Sequence, residues 1–232
     1  MLARAELNEP NRFDPMRIHD LVRAAENKYN RLLTILVLAY LMSPFVLEQS
    51  LGSLIGFFVC LGAIIVVVYQ VQYSQWLLRS YLGLVGLTLV LRIGSHPSIM
   101  PNATSWFAIL STLIFMVFLA LSIYLILREL ALVERVTADI IKGGICVYLL
   151  LGFFWTAIYS IIYSLDAQAF TAPSTPLTQA DLTHFSFTTL ATVGYGDIAP
   201  VSDVARVLAN LEGMVGVIYP TVFIARLVSL YK

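Results

Sequence analysis

Residues 189 to 197 read Thr-Leu-Ala-Thr-Val-Gly-Tyr-Gly-Asp. The chemistry that Thr192, Val193, Gly194, Tyr195 and Gly196 can perform is to show backbone oxygen to a cation. Gly194 and Gly196 stand two residues apart, and glycine enters the positive-φ region without a Cβ clash. Alternating conformations turn successive carbonyls to one side of the chain, which a regular strand does not do. The Val193 and Tyr195 side chains then point away from the carbonyls and brace the loop. Four copies around an axis would stack the oxygens of Thr192 to Tyr195 into cages, with the Thr192 hydroxyl as the innermost ring. Gly196 would complete the outer mouth and Asp197 would anchor it. Such cages can replace the hydration shell of K⁺.

The hexapeptide Thr192 to Asp197, lying between two apolar runs, resembles the filter of the tetrameric potassium channels, and the resemblance covers residues 143 to 232. It implies a pore domain made of outer helix, pore helix, filter and inner helix. It also implies a homotetramer, because the carbonyls of one loop cannot enclose an ion. The only cofactor implied is K⁺ in the filter, with no organic group, and no chemical step is catalysed. Many relatives carry paired tryptophans in the pore helix where this chain has His184 and Phe185. His184 can stand in for a tryptophan N–H and hydrogen-bond near Asp197; a packed or solvent-facing histidine is the plain alternative. Where some relatives have a pore-helix glutamate this chain has Thr188, so that carboxyl pair is missing.

The elements that must hold this loop are apolar. The chain has 232 residues, 59% hydrophobic and 12% charged, about half the charged fraction of a soluble domain. Its mean hydropathy of +0.84 agrees with a chain solvated mostly by lipid. The formal net charge is zero, which leaves nothing to attract nucleic acid. Cys60 and Cys146 lie inside apolar runs, where a disulfide or metal site has little support. No cleavable signal is expected, since a mixed polar stretch precedes the first apolar run. Six spans of membrane-crossing length are predicted near 31–49, 51–71, 76–93, 104–127, 143–165 and 204–230, so the expected fold is an all-α membrane protein with six transmembrane helices and one re-entrant pore helix per subunit.

Four regions follow from this. Residues 1–30 form a segment with a short amphipathic helix from Met16, with Ile18, Leu21, Val22 and Ala25 at helical spacing. It could lie on the membrane surface, pack on a partner, or be simply solvated. Residues 31–127 hold four helices that correspond in position to a voltage sensor. No charge occurs between Thr104 and Leu127, whereas gating charges yield only about 2.3 kcal/mol each per 100 mV and must be several. Ordinary voltage sensing is therefore not expected, and a packing scaffold, a lipid or tension sensor and a platform for an unidentified regulatory partner stay open. Residues 128–142 read as an amphipathic linker helix, with Leu130, Val133, Val136 or Thr137, and Ile140 on one side and Glu129, Glu134, Arg135 and Asp139 on the other. It should end in a turn at Gly143-Gly144. Residues 143–232 are the pore domain.

Arginines and lysines cluster before the first span, at Arg128, Arg135 and Lys142, and at Arg226 and Lys232. This places both termini in the cytoplasm of a multi-pass plasma-membrane protein, and the resemblance implies a bacterial channel. With Lys232 as the last residue, gating by a fused nucleotide- or calcium-binding module is not expected.

Aromatic residues of the fifth span, including Tyr159 and Tyr163 near its outer end, suit an interfacial belt. Thr178 or Asp181 can cap the pore helix. Glu212 is an intramembrane carboxylate that needs a partner or a proton. Turned toward the pore helix it could bond Thr188 or Thr189 and stiffen the filter, which is the favoured orientation; turned toward the cavity it would concentrate cations. Gly213, Gly216 and Pro220 suggest a hinge and kink in the last helix, with close helix packing as the alternative. A weakly selective cation channel and a non-conducting sensor or assembly protein with a vestigial pore are the rival functions. A coupled transporter is disfavoured, because there are no inverted repeats with broken helices.

Overall fold

A run such as Thr104 to Leu127 closes its backbone hydrogen bonds internally when water is excluded, and for a single segment the helix is the way to do so. The computed structural model describes residues 28–42, 83, 86–87, 90, 104–173 and 176–230. Helix α1 spans Lys28–Met42, α2 Thr104–Leu132, α3 Ala138–Leu165, α4 Gln179–Leu190 and α5 Asp203–Leu230. The strands β1 (Phe170–Thr171) and β2 (Ala199–Pro200) pair antiparallel, Phe170 opposite Pro200 and Thr171 opposite Ala199. This ladder ties the chain entering α4 to the chain leaving the loop at 191–198.

Among the described residues, three helices are long and apolar enough to cross a membrane: Trp106–Leu132, Ala138–Leu165 and Asp203–Leu230. With 28 residues each, α3 and α5 reach about 42 Å against a hydrocarbon core of about 30 Å. The 12 residues of α4 reach only about 18 Å, so α4 must enter and stop.

The segment 128–142 differs from its prediction. Residues 128–132 continue α2, residues 133–137 form a short non-helical corner, and α3 has already begun at Ala138. The cause is the cap: Thr137 has extended backbone and its hydroxyl accepts from the Ile140 N–H at 3.3 Å, which starts a helix five residues before the glycines. Gly143 and Gly144 are therefore packing positions inside α3. A Cβ on Gly143 would press on the Tyr29 ring and Leu130, and one on Gly144 would overlap the Phe223 ring. Asp139, predicted on the polar side, is buried. Its Oδ1 accepts the Tyr29 N–H at 3.2 Å, while the Tyr29 hydroxyl donates to Glu129 at 2.8 Å. The first turn of α1 is thus fastened to the α2–α3 corner.

The predicted first span, 31–49, coincides with α1 from residue 31 to 42 and begins a turn earlier. Residues 43–49, the N-terminal amphipathic helix, Cys60 and most of the second and third predicted spans lie outside the described residues.

Two cores flank α3. In the first, Tyr29, Leu32 and Leu36 of α1 and Phe118 and Leu119 of α2 close on Val147 and Leu150. In the second, Trp155 and Tyr159 of α3 meet Phe170, Phe185 and Leu190 around the pore helix. Substituting Leu150 by Ala should lower the unfolding temperature in detergent. The cost in a water-soluble core would be about 2–5 kcal/mol; the low end is expected here, because lipid tails solvate apolar side chains and only the packing part is lost. An unchanged unfolding temperature would mean that α1 and α2 do not close on α3 as described.

Candidate functional site

Helix α4 is started by a reciprocal cap. The Thr178 hydroxyl accepts the Asp181 N–H at 3.1 Å, and the Asp181 carboxylate accepts the Thr178 N–H at 2.9 Å, so both predicted capping residues act together. Its far end is more unusual. A helix normally leaves its last four carbonyls without partners, yet here each is taken. The Phe187 oxygen accepts from Ala191 N, Thr188 from Val193 N and Gly194 N, and Thr189 from Thr192 N, at 2.8–3.3 Å. The Leu190 oxygen accepts the Tyr148 hydroxyl of α3 at 3.0 Å.

The first three residues of the loop therefore turn their N–H groups back onto the helix they leave. Thr192, Gly194 and Gly196 have φ of 57°, 55° and 77°, while Val193 and Tyr195 do not have positive φ. Alternation of this kind sets the peptide groups to one side. A non-glycine residue in the left-handed region costs about 1–2 kcal/mol, so Thr192 is held there by the hydrogen bonds on either side of it. Among the described residues, no hydrogen bond is accepted by the carbonyls of Thr192 to Gly196. Five consecutive backbone oxygens are thus left without a hydrogen-bond partner. All of residues 191–197 are exposed, including Val193 and Tyr195.

Behind the loop, His184 Nε2 lies 2.9 Å from Asp197 Oδ2, an ion pair when the ring is protonated and a hydrogen bond otherwise. The Tyr195 ring stacks on the His184 ring, centroids 5.7 Å apart and 5° from parallel. At Asp197 desolvation pushes the carboxyl pKa upward, but hydrogen bonds from His184 and from the Ile198 N–H prevail and hold it below its ordinary 3.8.

Glu212 is fully buried and turned toward the pore helix, but its partners are not those predicted. The Thr188 hydroxyl bonds back to the His184 and Phe185 carbonyls of its own helix, and Thr189 contributes only its backbone oxygen. Instead Ser186 Oγ lies 2.6 Å from Glu212 Oε1, and the Tyr159 hydroxyl donates to Oε2 at 2.6 Å. The reason is rotational: Ser186 occupies the fully buried face of α4, whereas Thr188 is half-buried. Tyr159 is accordingly a core residue with 0% exposure and not part of an interfacial belt. Tyr163, also predicted for that belt, accepts the Leu177 N–H at 2.9 Å. Sequence reasoning passed over Ser186, Tyr148 and the role of Tyr159. The one available signal was the lone carboxylate of α5, which demands hydroxyl partners without naming them.

Gly216 is buried, and a Cβ there would overlap the Leu190 carbonyl; at Gly213 nothing lies within 4 Å. Close packing thus accounts for Gly216 directly. The helix runs continuously through Pro220.

Two outcomes follow from this geometry. Gly216→Ala should destabilise the folded protomer by about 1–3 kcal/mol, because the obstacle is backbone and cannot swing aside, while Gly213→Ala should leave the unfolding temperature unchanged; equal effects would contradict the close approach. For Asp197, a depressed carboxyl stabilises the fold above its ordinary range, and that contribution is lost as pH falls through the folded-state value. His184→Ala should therefore move the Asp197 titration upward toward 3.8, read from its carboxyl carbon by NMR; an unmoved midpoint would show that His184 does not hold it.

Residues 143–232 match the family model described as "Ion channel". Comparison with curated proteins and with solved structures yielded no match. The matched segment begins inside α3 and takes in the pore helix, the loop with its free carbonyls and α5. With three helices fit to span a bilayer and this domain, the chain is a multi-pass membrane protein. Over residues 143–232 the chain is similar to that ion-channel family.

Proposed function

We propose that four copies of this chain assemble into a K⁺-selective channel that conducts passively across the plasma membrane. The observation that carries this reading is the unshared set of five carbonyls from Thr192 to Gly196. The N–H groups of Thr192, Val193 and Gly194 are bonded back to α4, and alternate φ values are positive. Irregular backbone at membrane depth is tolerated only against protein or a water-filled pore. A single chain covers none of residues 191–197, so further copies around a shared axis would supply both the enclosure and the other oxygens. K⁺ would be bound by Thr192 to Tyr195, with Gly196 at the mouth and Asp197 and His184 behind it. Membrane lipid and the neighbouring copies are the partners this requires, and both termini face the cytoplasm by the distribution of arginine and lysine.

The weakly selective alternative is disfavoured by Tyr195. Its stacking on His184 gives the loop an aromatic brace, which suits a filter held at one diameter. The bundle of α1 and α2 is proposed to support the pore without sensing voltage, since α2 carries no charge before Arg128. Gating would come from movement of α5 beyond Gly216, where Pro220 removes a backbone hydrogen bond.

Liposomes holding only this chain should take up K⁺, and the reversal potential in mixed K⁺ and Na⁺ should follow K⁺. Gly194→Ala should remove most of that flux, because alanine at φ +55° costs about 1 kcal/mol per copy and reorients a coordinating carbonyl. Absence of flux would favour the vestigial-pore reading, and a reversal potential equally sensitive to Na⁺ would favour the weakly selective one.

A further inference from the structure

The oxygens around Glu212 make three close contacts with one another. Tyr159 Oη lies 2.6 Å from Glu212 Oε2, Glu212 Oε1 lies 2.6 Å from Ser186 Oγ, and Ser186 Oγ lies 2.8 Å from the Gly152 carbonyl oxygen. All three separations fall in the range of an O–H···O hydrogen bond, and each needs one proton between its oxygens. A hydroxyl supplies one proton, an ionised carboxylate and a carbonyl none. Tyr159 and Ser186 therefore provide two protons for three contacts. The Thr156 hydroxyl is already directed at the Gly152 oxygen at 2.8 Å and does not fill the gap. Glu212, Ser186 and Tyr159 are all at 0% exposure, so water does not stand between them.

We propose that Glu212 acts as a neutral carboxylic acid, its proton on Oε1, and in that form positions the pore helix. With this proton the chain of donors is complete. Tyr159 donates to Glu212 Oε2, Glu212 Oε1 donates to Ser186 Oγ, and Ser186 donates to the Gly152 oxygen. It begins and ends on one face of α3, since residues 152 and 159 are two turns apart, and passes through α5 and α4 on the way. The three helices around the filter are thereby pinned at one point. Without the proton, Ser186 must choose between Glu212 and Gly152, and either α5 or α3 is released from the pore helix. The surroundings agree with a neutral group. Among the described residues no lysine, arginine or histidine is bonded to Glu212, and the other titratable side chain coupled to it is Tyr148, also on α3.

Infrared difference spectra of the purified, assembled protein at neutral pH test this. Subtracting Glu212→Gln from the native spectrum should leave the carbonyl stretch of a protonated carboxylic acid. Ser186→Ala should shift that band to higher frequency, because the acid loses its acceptor. A difference spectrum showing only carboxylate bands would overturn the proposal, as would a band indifferent to Ser186. The second arm is rescue. An amide can accept from Tyr159 and donate to Ser186, so Glu212→Gln should keep K⁺ flux and stability within about twofold of native, the scatter of a neutral substitution; Glu212→Ala should lose both. Glutamine as damaging as alanine would also overturn it. The spectra need no flux, so a protein that proves not to conduct leaves the first arm decisive.

Discussion

Backbone at membrane depth has no water to satisfy it, so every N–H and C=O must be assigned a partner or a purpose. In this protein that constraint is met asymmetrically. The N–H groups of Thr192, Val193 and Gly194 fold back onto the carbonyls at the end of α4, which pairs the first donors of the loop with acceptors of the helix. What remains is a row of oxygens with nothing of the same chain to bond. The rest of the described pore domain can be read as the means of holding α4 still enough for this to persist. Tyr148 takes the last carbonyl, Gly216 lets α5 lie against it, and Ser186 ties the buried face of α4 to α3 and α5.

Helix α3 is the common wall for all of these contacts, and its glycines mark where aromatic rings come down on its backbone. Tyr29 of α1 sits over Gly143, Phe223 of α5 over Gly144, and Phe187 of α4 over Gly152. A ring laid on a glycine brings helix axes close without a pocket having to be carved from neighbouring side chains. The Tyr219 hydroxyl donates to the Gly144 carbonyl at 2.8 Å and its ring lies 6.3 Å from Tyr148, so the half of the α3–α5 contact away from the filter is also partly polar. Tyr40 of α1 reaches Phe187, ring centroids 4.5 Å apart, and α1 thereby touches the pore helix directly.

What was legible in the chain was whatever depends on local order. The positive φ at Gly194 and Gly196, the Thr178–Asp181 cap, the length of α5 and the approach of His184 to Asp197 could all be anticipated from spacing or resemblance. What was not legible depends on rotation about helix axes and on where caps fall. Each residue turns a helix by about 100°, so Thr188, two positions from Ser186, falls on another face, while Thr189, three positions on, contributes only its backbone oxygen. The linker at 128–142 was misread because its apolar and charged residues do alternate at helical spacing. Thr137 nevertheless starts α3 early, and Asp139 is drawn inward by the Tyr29 N–H. The Asp139 contact is not visible until α1 is placed beside α3.

Lipid tails are as apolar as leucine, so no hydrophobic force presses α5 against the pore helix; close packing and hydrogen bonds must do it. The buried residues of α5 are Ala205, Ala209, Glu212 and Gly216, a single stripe at steps of four, three and four. Three of them are small and admit the neighbouring backbone. The fourth supplies the polar bond that small residues lack. The large apolar side chains of α5 are exposed or only half-buried in one chain; Leu208, Val215, Tyr219, Phe223 and Leu227 pack on the two cores, and the others, such as Val204, Met214 and Val228, face outward. A carboxyl group in that stripe is therefore a structural requirement before it is a functional one: an all-apolar α5 would be equally content turned by a few residues, and the register that brings Gly216 to Leu190 would have nothing directional to select it.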